Sequence, residues 1–76
     1  MTVEKLKNII MKSFSVVLFS YKGLDCGIDP MGIKEYDVWC GETIETVDSI
    51  DKIMDIPIFE GKALKEIISD IHEWDC

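Results

Sequence analysis

The run Phe-Ser-Val-Val-Leu-Phe-Ser-Tyr at residues 14–21 constrains this chain most. β-Branched and aromatic residues dominate it, and apolar groups fall on both faces of its alternation, so it reads as a central strand covered by helices on at least one side. Such a strand needs neighbours and a cover, and the flanking sequence offers both. Thr2 can cap a first helix over residues 2–12, with Val3, Leu6, Ile9 and Ile10 on one face. Glu4 near its start and Lys12 near its end suit the helix dipole. Lys22-Gly23 turns the chain after the central strand, and Leu24 to Asp29 can return as a second strand. Asp29-Pro30 and Gly32 then make residues 29–34 a loop, with Gly27 loosening the strand before it.

Tyr36, Val38 and Cys40 alternate with Asp37 and Trp39, and Gly41-Glu42 separates them from Thr43 to Val47, which predicts a second hairpin. Asp48 or Ser49 can cap a short helix that turns Ile50, Ile53 and Met54 inward and ends at Ile56-Pro57. Ile58 and Phe59 plug the core between helices. Gly61 opens the last helix, where Leu64, Ile67, Ile68, Ile71 and Trp74 form one apolar stripe lying across the sheet. The expected fold is α+β over residues 1–76: an N-terminal helix, a three- to four-stranded antiparallel meander, and two C-terminal helices packed on the sheet. One feature opposes it. Lys62 and Lys65 sit in the first turns of the last helix while Asp70, Glu73 and Asp75 crowd its end, the wrong sense for the macrodipole. Packing of the stripe can tolerate this, or the acidic end can sit against something cationic.

A chain of 76 residues has room for one domain and one core, burying only about 60% of the surface its unfolded form exposes. That excludes a large enzyme with a deep cofactor cleft, and the 12 Ile with Leu, Val, Phe and Trp exclude a disordered tail. The 8 basic residues are all Lys, against 15 acids, for a net charge of −7. With neither Arg nor Gln in the chain, nucleic-acid binding is disfavoured by charge and by residue type. Residues 1–24 hold four Lys and one Glu (+3), whereas residues 25–76 hold four Lys and fourteen acids (−10). The acidic surface serves solubility, and it would also suit a basic partner.

Lys5, Lys7 and Lys12 ahead of an apolar run and Cys26 imitate a secretory or lipoprotein leader. Ser13 and Ser15 interrupt the run, Glu4 stands among the lysines, and Asp25 takes a position where cleavage needs a small residue. No segment approaches the ~20 apolar residues that span a bilayer. A cytoplasmic protein with reduced thiols is expected. The 3 cysteines, an odd number without a Cys-x-x-Cys pair, do not make a disulfide framework.

His72 and Cys76 stand at i and i+4 on the expected last helix, a spacing that could hold Zn²⁺ if Cys40 or Cys26 and Glu73 came near. Without such convergence Cys26 and Cys40 are small buried hydrophobes. A thiol nucleophile would have only His72 as its base, and nothing local pairs them. Carboxylate pairs such as Asp48 with Asp51 have the spacing of an exposed helix face and no pocket. The glycines match no phosphate loop, and the acidic helix lacks the Gly and Glu of a calcium loop. No catalytic residue or cofactor is therefore expected, and the balance leans away from an enzyme. In the third expected strand, either Tyr36 faces the core and Trp39 faces away, or the reverse. The outward ring lies under the first helix or forms a contact platform, an aromatic anchor with acids as its rim. The candidate contact residues are Tyr36, Asp37, Trp39, Asp70 and Glu73.

Phe19-Ser-Tyr-Lys-Gly23, Ile28-Asp-Pro30, Tyr36-Asp-Val-Trp39 and Ile58-Phe-Glu-Gly-Lys-Ala-Leu-Lys-Glu-Ile67 together resemble a class of short uncharacterised proteins of low-GC Gram-positive bacteria and their mobile elements. The resemblance covers most of the chain and implies a source, with no assigned activity to carry over to any residue. The functional expectation is a small, acidic, non-enzymatic protein-interaction module, of the inhibitor, antitoxin-like or immunity-like kind. It would bind another protein, a basic one suiting its charge, and neither nucleic acid nor membrane. Two alternatives stand beside it: a metal or thiol protein built on His72, Cys76, Cys26 and Cys40, and a homodimeric structural domain whose extra burial offsets a small core.

Overall fold

Thr2 caps the first helix as expected. In the computed structural model, which describes residues 1–75, its hydroxyl accepts from the Lys5 N–H at 3.1 Å and α1 runs Val3–Ser13. Phe14 closes α1 in the left-handed region, φ 52°, and its N–H donates to the Ile10 carbonyl at 3.1 Å. The 14–21 run therefore yields its first residues to the helix end, and β1 is Val17–Tyr21. β2 (Leu24–Gly32), β3 (Glu35–Cys40) and β4 (Thr43–Val47) follow as an antiparallel meander. Ser49, not Asp48, caps α2 (Ile50–Asp55), its hydroxyl accepting from Lys52 N–H at 3.2 Å, and Ile56 leaves the helix before Pro57.

The sheet has five strands, not three or four, in the order β4-β3-β2-β1-β5. The extra strand, β5 (Trp74–Asp75), pairs antiparallel with Leu18 and Phe19 of β1. It arises where the sequence predicted the end of the last helix. That helix is instead a single turn, α3 (Leu64–Ile67), followed by a 3₁₀ turn at Ile68–Asp70 and extended chain. A continuous helix would hold lysines at its positive end and carboxylates at its negative end, each costing ~0.3–1 kcal/mol. Breaking it after Asp70 releases Glu73 and Asp75 from that geometry and gives β1 an edge partner. The apolar stripe survives the break: Leu64, Ile67, Ile68 and Ile71 are all buried, and the Trp74 ring lies 4.8 Å from that of Phe19.

Gly61 does not open a helix either. Glu60 and Gly61 both have positive φ, 56° and 82°, in a tight turn closed by reciprocal Phe59 and Lys62 backbone bonds of 3.0 and 3.1 Å. This turn drives Phe59 fully into the core, as its apolarity predicted. The expected 29–34 loop is likewise mostly strand. Gly41 N–H donates to the Asp25 carbonyl, so odd residues of β2 bond toward β3 and even ones toward β1. Pro30 therefore turns its nitrogen toward β1, which begins only at Val17 opposite Ile28, and no ladder bond is lost. A register irregularity between Pro30 and Gly32 then shortens the connection to β3.

All the helical cover lies on one side. Val17, Phe19, Tyr21, Cys26, Ile28, Tyr36, Val38 and Cys40 form a single core with Leu6 and Ile10 of α1, Ile53 and Met54 of α2, and Leu64 and Ile67 of α3. Lys7 and Asp51, 2.7 Å apart, tie α1 to α2 at the surface. Thr43 and Glu45 share this side of the sheet with Val38 and Cys40, yet they remain exposed because the helical layer stops short of them. No helix among the described residues is long and apolar enough to cross a membrane.

Candidate interaction surface

The alternation that sends Phe19, Cys26 and Val38 into the core sends Leu18, Gly27 and Trp39 to the opposite side of the sheet, which no helix covers. Gly27 and Trp39 are directly opposed on β2 and β3, and the indole lies flat over the glycine. A Cβ built on Gly27 would stand 2.7 Å from two indole carbons and nearer still to a third, so only glycine permits this approach. Around the ring are Leu18 and Ile44, 42% and 65% exposed. An open groove of about 290 Å³ runs between Trp39 and β5, lined among others by Leu18, Ser20, Asp25, Glu73 and Asp75.

The chemistry of this face is one-sided. Asp25, Asp29, Asp37 and Asp75 all lie on it by alternation, and none of the five strands contains a lysine. The ion pairs among the described residues lie elsewhere, at Lys7–Asp51, Lys52–Asp48 and Lys65–Asp55. In the latter two the Lys52 ammonium holds the Asp48 carboxyl below its usual range, and the Asp55 carboxylate raises Lys65. Asp29 and Asp37 are directly opposed across β2 and β3, an unfavourable like-charge pair, and Asp37 accepts from the Thr46 hydroxyl at 2.7 Å. The two tryptophans divide by role: Trp74 Nε1 donates to the Ile71 carbonyl at 3.2 Å against the core, whereas Trp39 sits half-buried on the open face.

The expected contact residues do not all belong here. Tyr36 is a correction: it faces the core, 6% exposed, with its hydroxyl donating to the Ile33 carbonyl at 3.0 Å. Trp39 and Asp37 are the outward pair, and α1 packs on the other side of the sheet. Glu73 borders the groove, while Asp70 lines a neighbouring depression with Lys22 and His72. Of the metal-ligand candidates, only Cys26 and Cys40 are brought together among the described residues. Cys26 and Cys40 are opposed on adjacent strands and buried, His72 is exposed before β5, and Cys76 lies outside the described residues. Among the described residues no three His, Cys, Asp or Glu side chains are grouped to hold a metal ion. Burial, and then the neighbouring Cys40, pushes the Cys26 thiol up to about 12, the opposite of an activated nucleophile.

Sequence reasoning missed Leu18, Asp25, Gly27 and Asp75. A glycine inside a strand was the available signal, because it marks a close approach as often as a turn. Placing Trp39 on it requires the register, which is a long-range property.

Gly27→Ala tests this geometry. The added methyl displaces the indole or strains the sheet, and a loss of about 1–3 kcal/mol is expected in urea unfolding. In a Trp39→Ala background the same change should be neutral or slightly stabilising, since alanine relieves the entropic cost of glycine. Equal losses in both backgrounds would show that the ring and the glycine do not interact.

Compared with protein-family models, with curated proteins and with solved structures, the chain matches none.

Proposed function

We propose that this domain is a non-enzymatic protein-interaction module that docks a partner on the open face of its sheet, in the manner of a small inhibitor, antitoxin or immunity factor. One observation carries the reading: Trp39, held flat on Gly27, stands at the centre of an uncovered face with apolar neighbours and a rim of carboxylates. Large aromatic rings at the centre of a patch, ringed by polar groups, are where binding energy concentrates. An extended aliphatic and aromatic surface left open on a small domain marks an interaction site. The pushed-up Cys26 thiol, and the lack among the described residues of a third ligand beside the Cys26–Cys40 pair, favour this reading over a thiol or metal protein.

The test is native mass spectrometry of the protein recovered gently under reducing conditions from cells that express it, alongside Trp39→Ala. A bound protein that the substitution releases, with amide-exchange protection on β1 to β3 in the complex, supports the reading. A partner retained equally by Trp39→Ala, or protection confined to the helical side, refutes it.

A further inference from the structure

We infer that the occupant of this face is a basic, extended segment of a partner protein, carrying a cationic, an apolar and a second cationic side chain at alternate positions. The inference rests on the docking reading above and specifies its chemistry. Along β2 the open face presents Asp25, then Gly27 under the Trp39 ring, then Asp29 beside Asp37. Acidic groups thus stand two residues to either side of the aromatic centre, about 13 Å apart at ~3.3 Å per residue. An extended chain lying along the strands repeats its same-face side chains every ~6.6 Å, so three alternate positions span that distance. Its middle apolar residue would rest on Trp39 and Leu18. One cation would reach Asp25, Glu73 and Asp75 at the groove, and the other would relieve the opposed Asp29 and Asp37.

Charge also selects among occupants. In a symmetric dimer through this face the same patch meets itself, setting these carboxylates against their own copies on a chain of net charge −7. A nucleic acid would bring phosphates to a face whose strands hold no lysine. A polypeptide with Lys or Arg meets both the ring and the rim, and a guanidinium also stacks on an indole face.

The experiment is selection of a displayed random twelve-residue peptide library on the immobilised protein. Enriched peptides are then synthesised and titrated by ¹H–¹⁵N correlation spectra. Expected are sequences with Lys or Arg on both sides of an apolar residue at alternate positions, shifting the amides of Asp25, Gly27 and Trp39. Affinity should fall about tenfold between 50 and 500 mM salt. It should fall by a similar factor in Asp25→Asn/Asp37→Asn, a near-isosteric variant that leaves the core and Trp39 in place. Uncharged peptides that shift the same amides without salt dependence would overturn the basic occupant while leaving the docking face standing. Peptides indifferent to Trp39→Ala, or no enrichment at all, would overturn both. Concentration-dependent shifts of the same amides without peptide would identify a second copy as the occupant and overturn the inference.

Discussion

Phe59→Ala is expected to destabilise the domain by about 3–5 kcal/mol, the usual cost of deleting a fully buried phenylalanine. Phe59 is 0% exposed, and its ring lies 5.8 Å from that of Phe19, which in turn lies 4.8 Å from Trp74. The three rings join the Glu60-Gly61 turn to β1 and β5, so the cavity opens where three non-adjacent segments meet. The turn that carries Phe59 is closed by its own backbone bonds and cannot easily collapse into the space. A chain of 76 residues has a total stability of about 4–11 kcal/mol, so the substitution should remove from about a quarter to all of it. Ile44→Ala is the control. Ile44 is 65% exposed on β4, and its truncation should lower the stability measured in urea by about 0.5 kcal/mol or less. Similar midpoints for the two variants would mean that the aromatic cluster is not the keystone of the core.

Cys26 in the folded protein is expected to react with iodoacetamide at pH 8 at least about a hundredfold more slowly than in the chain unfolded by guanidinium. The thiol rises from 9.0 to about 12 on folding, and the thiolate is the reacting species. At 1% exposure, Cys26 is also shielded from the reagent itself, which slows the reaction further. Peptide mapping at Cys26 reads the result, and comparable rates in the two states would sink the prediction. The same shift sets a pH dependence. Because folding favours the neutral thiol, its stabilising effect is whole below about pH 9 and is lost as pH rises from there toward about 12. Urea unfolding across that range should show stability falling in the wild type and falling less in Cys26→Ala.

Much of this fold is local and therefore legible. Thr2 and Ser49 are capping residues that name their helices, and the alternation of Tyr36, Val38 and Cys40 names β3 with its core side. The C-terminal segment misleads because Leu64, Ile67, Ile68, Ile71 and Trp74 have helical spacing yet serve equally well when the chain unwinds after Asp70. The reversed charges of Lys62, Lys65, Asp70 and Glu73 are the warning, since they accompany the end of the helix. Pro30 suggests a loop because its nitrogen's direction depends on where β1 starts. Likewise, alternation offered Trp39 and Tyr36 as a choice of faces, and only the docking of α1 on the Tyr36 side decides it. What the sequence left implicit was the register, through which Gly27 and Asp25 join Trp39.

β4 ends the sheet with an unpaired backbone edge and an outward isoleucine, the kind of border from which sheets grow into fibrils. Glu45 stands in the middle of that strand on the helix-facing side, opposite Val38. A foreign strand added there would have to set its own side chains beside that carboxylate, which opposes a carboxylate or a bulky apolar group at that position. The edge is thus guarded from within by one misplaced-looking acid.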